Sequence, residues 1–431
     1  MVSYPLVLVG AGPANLALLV YLGEALSLRL EKLCVVLEAE ERAHWHPGLC
    51  STDTTLQISM LKDLVSLRDP TSYFTFINFL KRRDLLSQYT HLDTFQPSRE
   101  LYSQYLGWVS EHFGSVIHYG TRVKSVSRSI VDDERSFRVS AESNRFGEEI
   151  YVCQNVVVAI GREPYLPPEL RIDDPRVFHS AEFFSRLKRD DYPEDGTYVV
   201  VGAGQSAGEA ARFLLARSPR SRVHVVSSGY LFRQVDDNPF VNDLYSNAMA
   251  RDFFSLSRAE RQRRLGDLRN TNYGVVDCAV LKELYRIGFD RKVMGLPGLS
   301  LHSYSNVKSV VPMANGLHVT IRALDGEESA TIDNVNAVVA ATGYADGRLK
   351  SILEGISVAD GATDTVETDE HFEVKLSEGK GLFVVNHSRA AHGPTEGTMT
   401  ALAERAQRIG DHLQFNIRGL TELRSTRRVT T

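Results

Sequence analysis

The sequence predicts an α/β protein with two Rossmann-like nucleotide folds and a small helical insert, and three observations predict it. Residues 6–15 read Leu-Val-Leu-Val-Gly-Ala-Gly-Pro-Ala-Asn. Residues 198–207 read Tyr-Val-Val-Val-Gly-Ala-Gly-Gln-Ser-Ala. Each is a short apolar strand entering G-x-G-x-x-(small or Asn) and then a helical pattern, which points helix N–H groups at a pyrophosphate. Third, Val156-Val-Val-Ala-Ile-Gly161 and Val338-Val-Ala-Ala-Thr-Gly343 echo one another, as two crossings between domains would. Two such loops on one chain imply two dinucleotides, a flavin and a nicotinamide.

Taken in order, 6–9 reads as the first strand, 15–26 as the helix behind its loop, and 33–37 as the second strand. Glu38 ends that second strand, where a carboxylate suits a ribose hydroxyl pair. Residues 123–139 and 152–159 read as a meander with a polar turn at 132–135. Residues 197–201 open the second nucleotide fold, and 223–226 is its second strand. Residues 236–290 break the pattern and read as a helical insert that carries substrate contacts, with a charged helix over 257–268. A strand at 382–385 and a final helix from about Thr395 return the chain to the first fold. The expected division is 1–170 with 336–431 for a flavin-binding domain, and 171–335 for a nicotinamide-binding domain.

Bulk properties narrow the function. The chain has 431 residues, 43% of them hydrophobic and 24% charged, which fits a globular protein with a substantial core. Its net charge of −5 and the lack of a long basic stripe argue against nucleic acid; the Arg-rich end, 424–428, reads as a frayed terminus. Cysteines 34, 50, 153 and 278 form no C-x-x-C pair, so a disulfide framework, a zinc site and a dithiol centre are not expected, and the reading is cytoplasmic. Gly10, Gly12, Pro13 and Asn15 interrupt the apolar N-terminus, which lacks a signal peptide's basic start. No apolar run approaches the ~20 residues of a membrane helix.

Five further stretches are more specific: 56–72 (LQISMLKDLVSLRDPTS), 96–100 (QPSRE), 204–207 (GQSA), 236–243 (DDNPFVND) and 271–277 (TNYGVVD). Their order and spacing resemble the flavin-dependent N-hydroxylating monooxygenases, in particular the ornithine and lysine N-hydroxylases of siderophore pathways. Asn15, in the G-x-G-x-x-N variant of the first loop, also fits that family. The resemblance runs from about residue 5 to residue 412. It implies FAD in the first domain, NADPH in the second, and O2 as co-substrate. The implied reaction is N-hydroxylation of a primary amine on a small molecule through a C4a-hydroperoxyflavin, and the implied assembly is a dimer or tetramer.

The same resemblance implies roles residue by residue. Gln57 lies near the reactive edge of the flavin, and Arg99 near flavin and nicotinamide. Lys62 and Asn242 hold the polar head of an amino-acid substrate, with Thr400 at the position of a pocket hydroxyl. Asn272 sits close to the reacting amine and the nicotinamide ribose. Gly10, Gly12, Pro13, Asn15, Glu38, Trp45 and His46 belong to the flavin site. Gly202, Gly204, Gln205 and Ser206 hold the NADPH pyrophosphate, and Thr342 and Gly343 complete the cofactor set.

The chain departs from the family in three places. After His392-Gly393 it reads Pro-Thr-Glu-Gly-Thr-Met-Thr400 in place of Leu-Ser-Asp-Thr-Leu-Leu-Ser. Gly274 replaces a Ser. Ser228 stands where relatives place an Arg on the 2′-phosphate, and Arg233 is the substitute. No Asp or Glu ends that strand to repel the phosphate, so NADPH is favoured over NADH.

Ornithine is the first expectation for the amine, with lysine, a diamine or an aminoalkyl intermediate open. A lysine-like amine has a pKa near 10.4, so presenting it neutral at about pH 7.4 costs roughly 4 kcal/mol. A desolvated pocket with no carboxylate beside the nitrogen lowers that cost, and a neutral amide such as Asn272 suits the task. Baeyer–Villiger and sulfur monooxygenases share both loops but carry F-x-G-x-x-x-H near the linker; residues 178–184 (FHSAEFF) lack its Gly and His. An FAD/NADPH oxidase, and a non-catalytic flavoprotein shuttle or sensor, remain as alternatives.

Overall fold

The computed structural model describes residues 2–50, 54–131, 134–189, 192–268, 271, 274–326, 329–356 and 366–417. Its strands are β1 (Val2–Val9), β2 (Cys34–Leu37), β3 (Ile117–His118), β4 (Thr121–Val131), β5 (Glu134–Ser143), β6 (Gly147–Val158), β7 (Glu163–Pro164), β8 (Val177–His179), β9 (Thr197–Val201), β10 (Arg222–Val226), β11 (Leu299–His302), β12 (Ser305–Met313), β13 (Gly316–Ala323), β14 (Ser329–Ala340), β15 (Tyr344–Ala345) and β16 (Leu382–Val384). They form two seven-stranded sheets, β3-β2-β1-β6-β5-β4 with β16 on β6, and β11-β10-β9-β14-β13-β12 with β8 on β14. β7 and β15 make a small separate ribbon.

The sheets repeat one plan. In each, a long strand (β6 or β14) pairs antiparallel with a meander over its first half and parallel with the glycine-loop strand over its second. The expected meander is β4, β5 and β6, with β6 starting at Gly147 rather than 152. The fully buried residues of β1, β2 and β6 explain their unalternating apolar runs, since both faces of a parallel sheet are covered. Leu6, Leu8 and Val36 pack with Leu16, Tyr102 and Leu413 on one face, while Val7, Val9 and Val35 pack with Val126, Val139 and Ile352 on the other.

Register brings the chemistry to one edge. Val9 sits opposite both Leu37 and Val158, so the first loop, Glu38 and Ala159 meet beyond the strand ends. In the second sheet Val201 sits opposite Val226 and Ala340. Gly10 (φ +92°) passes so close to the next crossing that a Cβ would lie 2.7 Å from the Ala159 carbonyl oxygen. At Gly202 (φ +128°) a Cβ would lie 2.2 Å from the Ala341 oxygen.

The first helix runs from Pro13 to Val20 and continues as a π turn over Tyr21–Ala25, close to the expected 15–26. The insert is helical, with Pro239–Asp243, Asn247–Ser255, Arg258–Asp267 capped by Ser257, and Cys278–Val293. Two boundaries move. β14 runs unbroken through position 336 to Ala340, so the strands of the two sheets divide after 340. The final helix starts at Leu402 rather than about Thr395, because Gly393 (φ +79°) turns the chain and 394–401 coils into two 3₁₀ turns. Among the described residues no helix is long and apolar enough to cross a membrane, and Cys34, Cys50, Cys153 and Cys278 are all free thiols.

Gly202→Ala combines a strained φ with a backbone clash. A loss of about 1–3 kcal/mol from the dihedral alone is expected, and more from the clash; urea unfolding of the variant against the wild type measures it.

Candidate functional site

Two adjoining cavities lie at the C-terminal edges of the strands. The larger, about 620 Å³, is lined by 9–14 of the first loop, Glu38, Trp45, His46, Gly161, Gly343 and Tyr344, with Arg348, Arg389 and Arg405. The smaller, about 340 Å³, is lined by Gln57, Lys62, Arg99, Asn242, Thr400, Tyr245, Asp236, Asp237 and Asp277. Gly397, Thr398 and Met399 line both and form the seam.

The larger cavity suits a dinucleotide. Gly12 has open space where a Cβ would go, so a ligand can approach its backbone. Several arginines converge on the same space. The Glu38 carboxylate accepts the Ala11 N–H at 2.6 Å and the Glu40 N–H at 2.9 Å, so it braces the loop and keeps lone pairs for a hydroxyl. Asn15 does not line the cavity. It is buried, and its amide donates to the Val9 and Gly10 carbonyls, fixing the loop from behind. Trp45 packs edge-on against His46 and Tyr102. His46 is exposed, while the protein packed about its ring and the neighbouring Arg99 cation lower the imidazole pKa from its ordinary value.

The smaller cavity gathers side chains from remote segments. The Leu56 N–H donates to the Pro97 carbonyl and the Arg99 N–H to that of Thr54, which sets Gln57 beside Arg99 at the start of helix Arg99–His112. Lys62 stands on a loop that buried Asp63 pins by accepting the Val65, Ser66 and Phe76 N–H groups. Burial lowers the Lys62 ammonium pKa, and among the described residues no carboxylate offsets that effect. Asn238 caps the short helix that carries Asn242, whose amide donates to the Asp237 carbonyl at 2.8 Å. Tyr245 and Thr271 share a hydroxyl contact of 2.5 Å on the wall. The insert is held to 389–404 by Phe254 stacked on His392, by Arg261 donating to the Ala391 carbonyl and by the Arg251–Glu404 pair.

Arg99 makes a bidentate ion pair with Glu209, both N–O distances 2.8 Å. The helix Gln205–Arg217 carries Glu209 behind the second glycine loop. Gln205 donates to Glu209 at 2.6 Å, and its oxygen accepts from Gln57 at 3.0 Å and from the Asp277 N–H at 2.8 Å. Sequence reading missed Asp63 and Glu209. A lone acid among alanines and glycine on a helix with an apolar face was the available signal for Glu209.

Other expected residues stand apart. Gly202, Gly204, Ser206, Ser228 and Arg233 line neither cavity. Ser228 and Arg233 are exposed. Thr342 also lines neither, and its hydroxyl donates to the Tyr165 carbonyl. Asn272 lies outside the described residues, as do 132–133 of the expected polar turn at 132–135; β5 already begins at Glu134.

A family model described as L-lysine 6-monooxygenase/L-ornithine 5-monooxygenase matches residues 2–346. The L-ornithine N(5)-monooxygenase of Pseudomonas aeruginosa is 29% identical over 434 residues, 98% of this chain and 96% of that protein. The solved reduced form of ornithine hydroxylase from the same organism has a TM-score of 0.88 at 28% identity, covering 97% of this chain and 100% of its own. Ornithine N-hydroxylase from Kutzneria sp. 744, solved with reduced FAD, NADP+ and L-ornithine, also has a TM-score of 0.88 at 28% identity, covering 96% and 99%. The two-domain α/β fold is that of these hydroxylases.

Buried His392 sets an acid limit on stability. Burial holds its imidazole down to about 3, against an ordinary value near 6.5. It is neutral when folded and binds a proton when unfolded below pH ~6.5, so the stability it contributes is full above that pH and falls as pH drops toward the folded value. The slope is up to about 1.4 kcal/mol per pH unit in that window. Buried Asp63, whose pKa is raised, acts in the opposite sense at the acid end. Thermal melts from pH 7.5 to 4.5 are expected to fall steeply, and His392→Asn to flatten the slope even where it lowers Tm.

Proposed function

We propose, from the premise that this chain belongs to the L-lysine 6-monooxygenase/L-ornithine 5-monooxygenase family, that it hydroxylates the side-chain amine of ornithine with FAD, NADPH and O2. The enzyme is a flavin-dependent N-hydroxylating monooxygenase, and its reaction is N-hydroxylation of an amine. Choosing ornithine over lysine, a diamine or a larger aminoalkyl compound rests on the charge pattern of the smaller cavity. Lys62 is a half-buried cation whose charge no carboxylate among the described residues offsets, and a substrate carboxylate would supply one. Asn242 spends its N–H on the Asp237 carbonyl and leaves its oxygen to accept from an α-ammonium, with Asp236 and Asp237 on the same wall.

We assign FAD to the larger cavity, held by the first loop with Gly10, Gly12 and Pro13, by Glu38, Trp45 and His46, and by Gly343. NADPH is assigned to the second loop with Gly202, Gly204, Gln205 and Ser206, and its 2′-phosphate to Ser228 and Arg233. The domains follow as 1–170 with the C-terminal part, and 171 to the end of β14. When bound, the flavin supplies two-electron activation of O2 and transfer of one oxygen atom, so that R–NH2, O2, NADPH and H+ give R–NHOH, NADP+ and H2O.

The protein's own task is positioning, exclusion of water and control of one proton. Lys62 and Asn242 at one end fix the head group, and the remaining length of the cavity delivers the amine toward the seam at 397–399 and Gln57. Glu209 pairs with Arg99, so no uncompensated Arg99 cation faces the amine there. Asn272 would orient the nitrogen without favouring its cation. This suits the neutral, reactive form.

Incubation with FAD, NADPH and ornithine, lysine or cadaverine separates the readings. Hydroxylamine from ornithine with little peroxide is the expected result; peroxide alone from every amine removes the N-hydroxylase reading for these substrates. Loss of a charge-assisted hydrogen bond costs about 1.5–3 kcal/mol, so Lys62→Ala should raise KM for ornithine about 10- to 100-fold. FAD retention should be unaffected, and cadaverine, which lacks the carboxylate, should feel little. Equal effects on both amines would remove Lys62 from carboxylate recognition.

A further inference from the structure

We propose that Glu209 is a positioning residue for this reaction, holding the Arg99 guanidinium on the wall of the smaller cavity and linking it to the helix behind the second glycine loop. The inference rests on the function proposed above and adds a residue to it. Glu209 is 5% exposed and accepts from both terminal nitrogens of Arg99 at 2.8 Å. The Arg99 side chain is itself only 13% exposed. A planar guanidinium gripped at two points has its plane fixed as well as its place.

The grip extends further. Gln205, the first residue of the same helix, ties Glu209 to Gln57 and to the Asp277 N–H that opens helix Cys278–Val293. One carboxylate therefore fixes two side chains of the reaction cavity from the opposite sheet. It also cancels the Arg99 charge, whose reach into the larger cavity is visible in its effect on His46. Without Glu209 an uncompensated cation would stand on the wall of the smaller cavity, beside the larger one assigned to FAD, and a cation near a bound flavin would favour its anionic reduced form.

The test uses the FAD-loaded enzyme with Glu209→Gln, which keeps the size and the acceptor for Gln205. Two readouts are taken: the flavin midpoint potential by photoreduction without nicotinamide, and the hydroxylamine formed per NADPH consumed. Glu209→Gln is expected to move the midpoint positive and to lower coupling severalfold, with peroxide rising to match. Glu209→Asp keeps the charge but withdraws it by one methylene, so coupling should fall with little change in midpoint. Arg99→Gln should move the midpoint negative, and the double variant should return it near the wild-type value. A merely structural role would lower Tm and leave the midpoint in place.

If Glu209→Gln does not fold, the double variant serves, since it leaves no unpaired buried ion; wild-type coupling in it overturns the proposal. A yellow, hydroxylating Glu209→Gln enzyme with unchanged midpoint and coupling overturns it too. Wild-type protein that takes up no FAD would instead overturn the functional reading.

Discussion

The site depends on two places where the backbone has no room for a side chain. Gly10 and Gly202 each leave a parallel strand and turn so close to the carbonyl just past the crossing strand's end that a Cβ would collide with it. That approach is possible only with positive φ and no Cβ. It lets the strand ends close up, so that the first loop, the tip of β2 and the end of β6 share one rim. A wider loop would separate Glu38 from Ala11 and dissolve the bond that braces the rim.

From that rim outward, the polar groups are organised by buried acids. Asp63, Glu209 and Glu396 are each almost inaccessible, and each accepts several donors. Asp63 shapes the loop that presents Lys62. Glu209 fixes Arg99. Glu396 accepts from the Asn386 N–H and the Ser388 hydroxyl and so shapes the seam between the cavities. A buried carboxylate with its acceptor sites filled by backbone and side-chain donors is tolerated, and it leaves little freedom to whatever it holds. The altered 392–400 segment thus keeps an acid at its centre while exchanging leucine side chains for Thr398 and Met399 at the seam.

The helical insert supplies one wall of the reaction cavity, yet it is anchored chiefly by stacking and arginine contacts to 389–404 of the other sheet's chain segment. Asn242 and Tyr245 consequently line one cavity with Thr398 and Thr400, which follow them by more than a hundred residues.

Local pattern alone carried the two nucleotide folds, because a strand, a glycine turn and a helix are each dictated by residues close in sequence. The charged helix after Ser257 and the helical nature of the insert were legible for the same reason. Lys62, Asn242 and Arg99 were legible as members of motifs that the resemblance brings to one site, and all three line one cavity. Tertiary structure decided where the last helix begins, since Gly393 and the bonds around Glu396 override the helical tendency of 395–401. It decided that β14 carries the second sheet to Ala340. It also decided that Arg99 faces Glu209 and that Asn15 braces the loop from behind. Such pairings join groups far apart in the chain, and no local propensity encodes which acid a buried arginine will find.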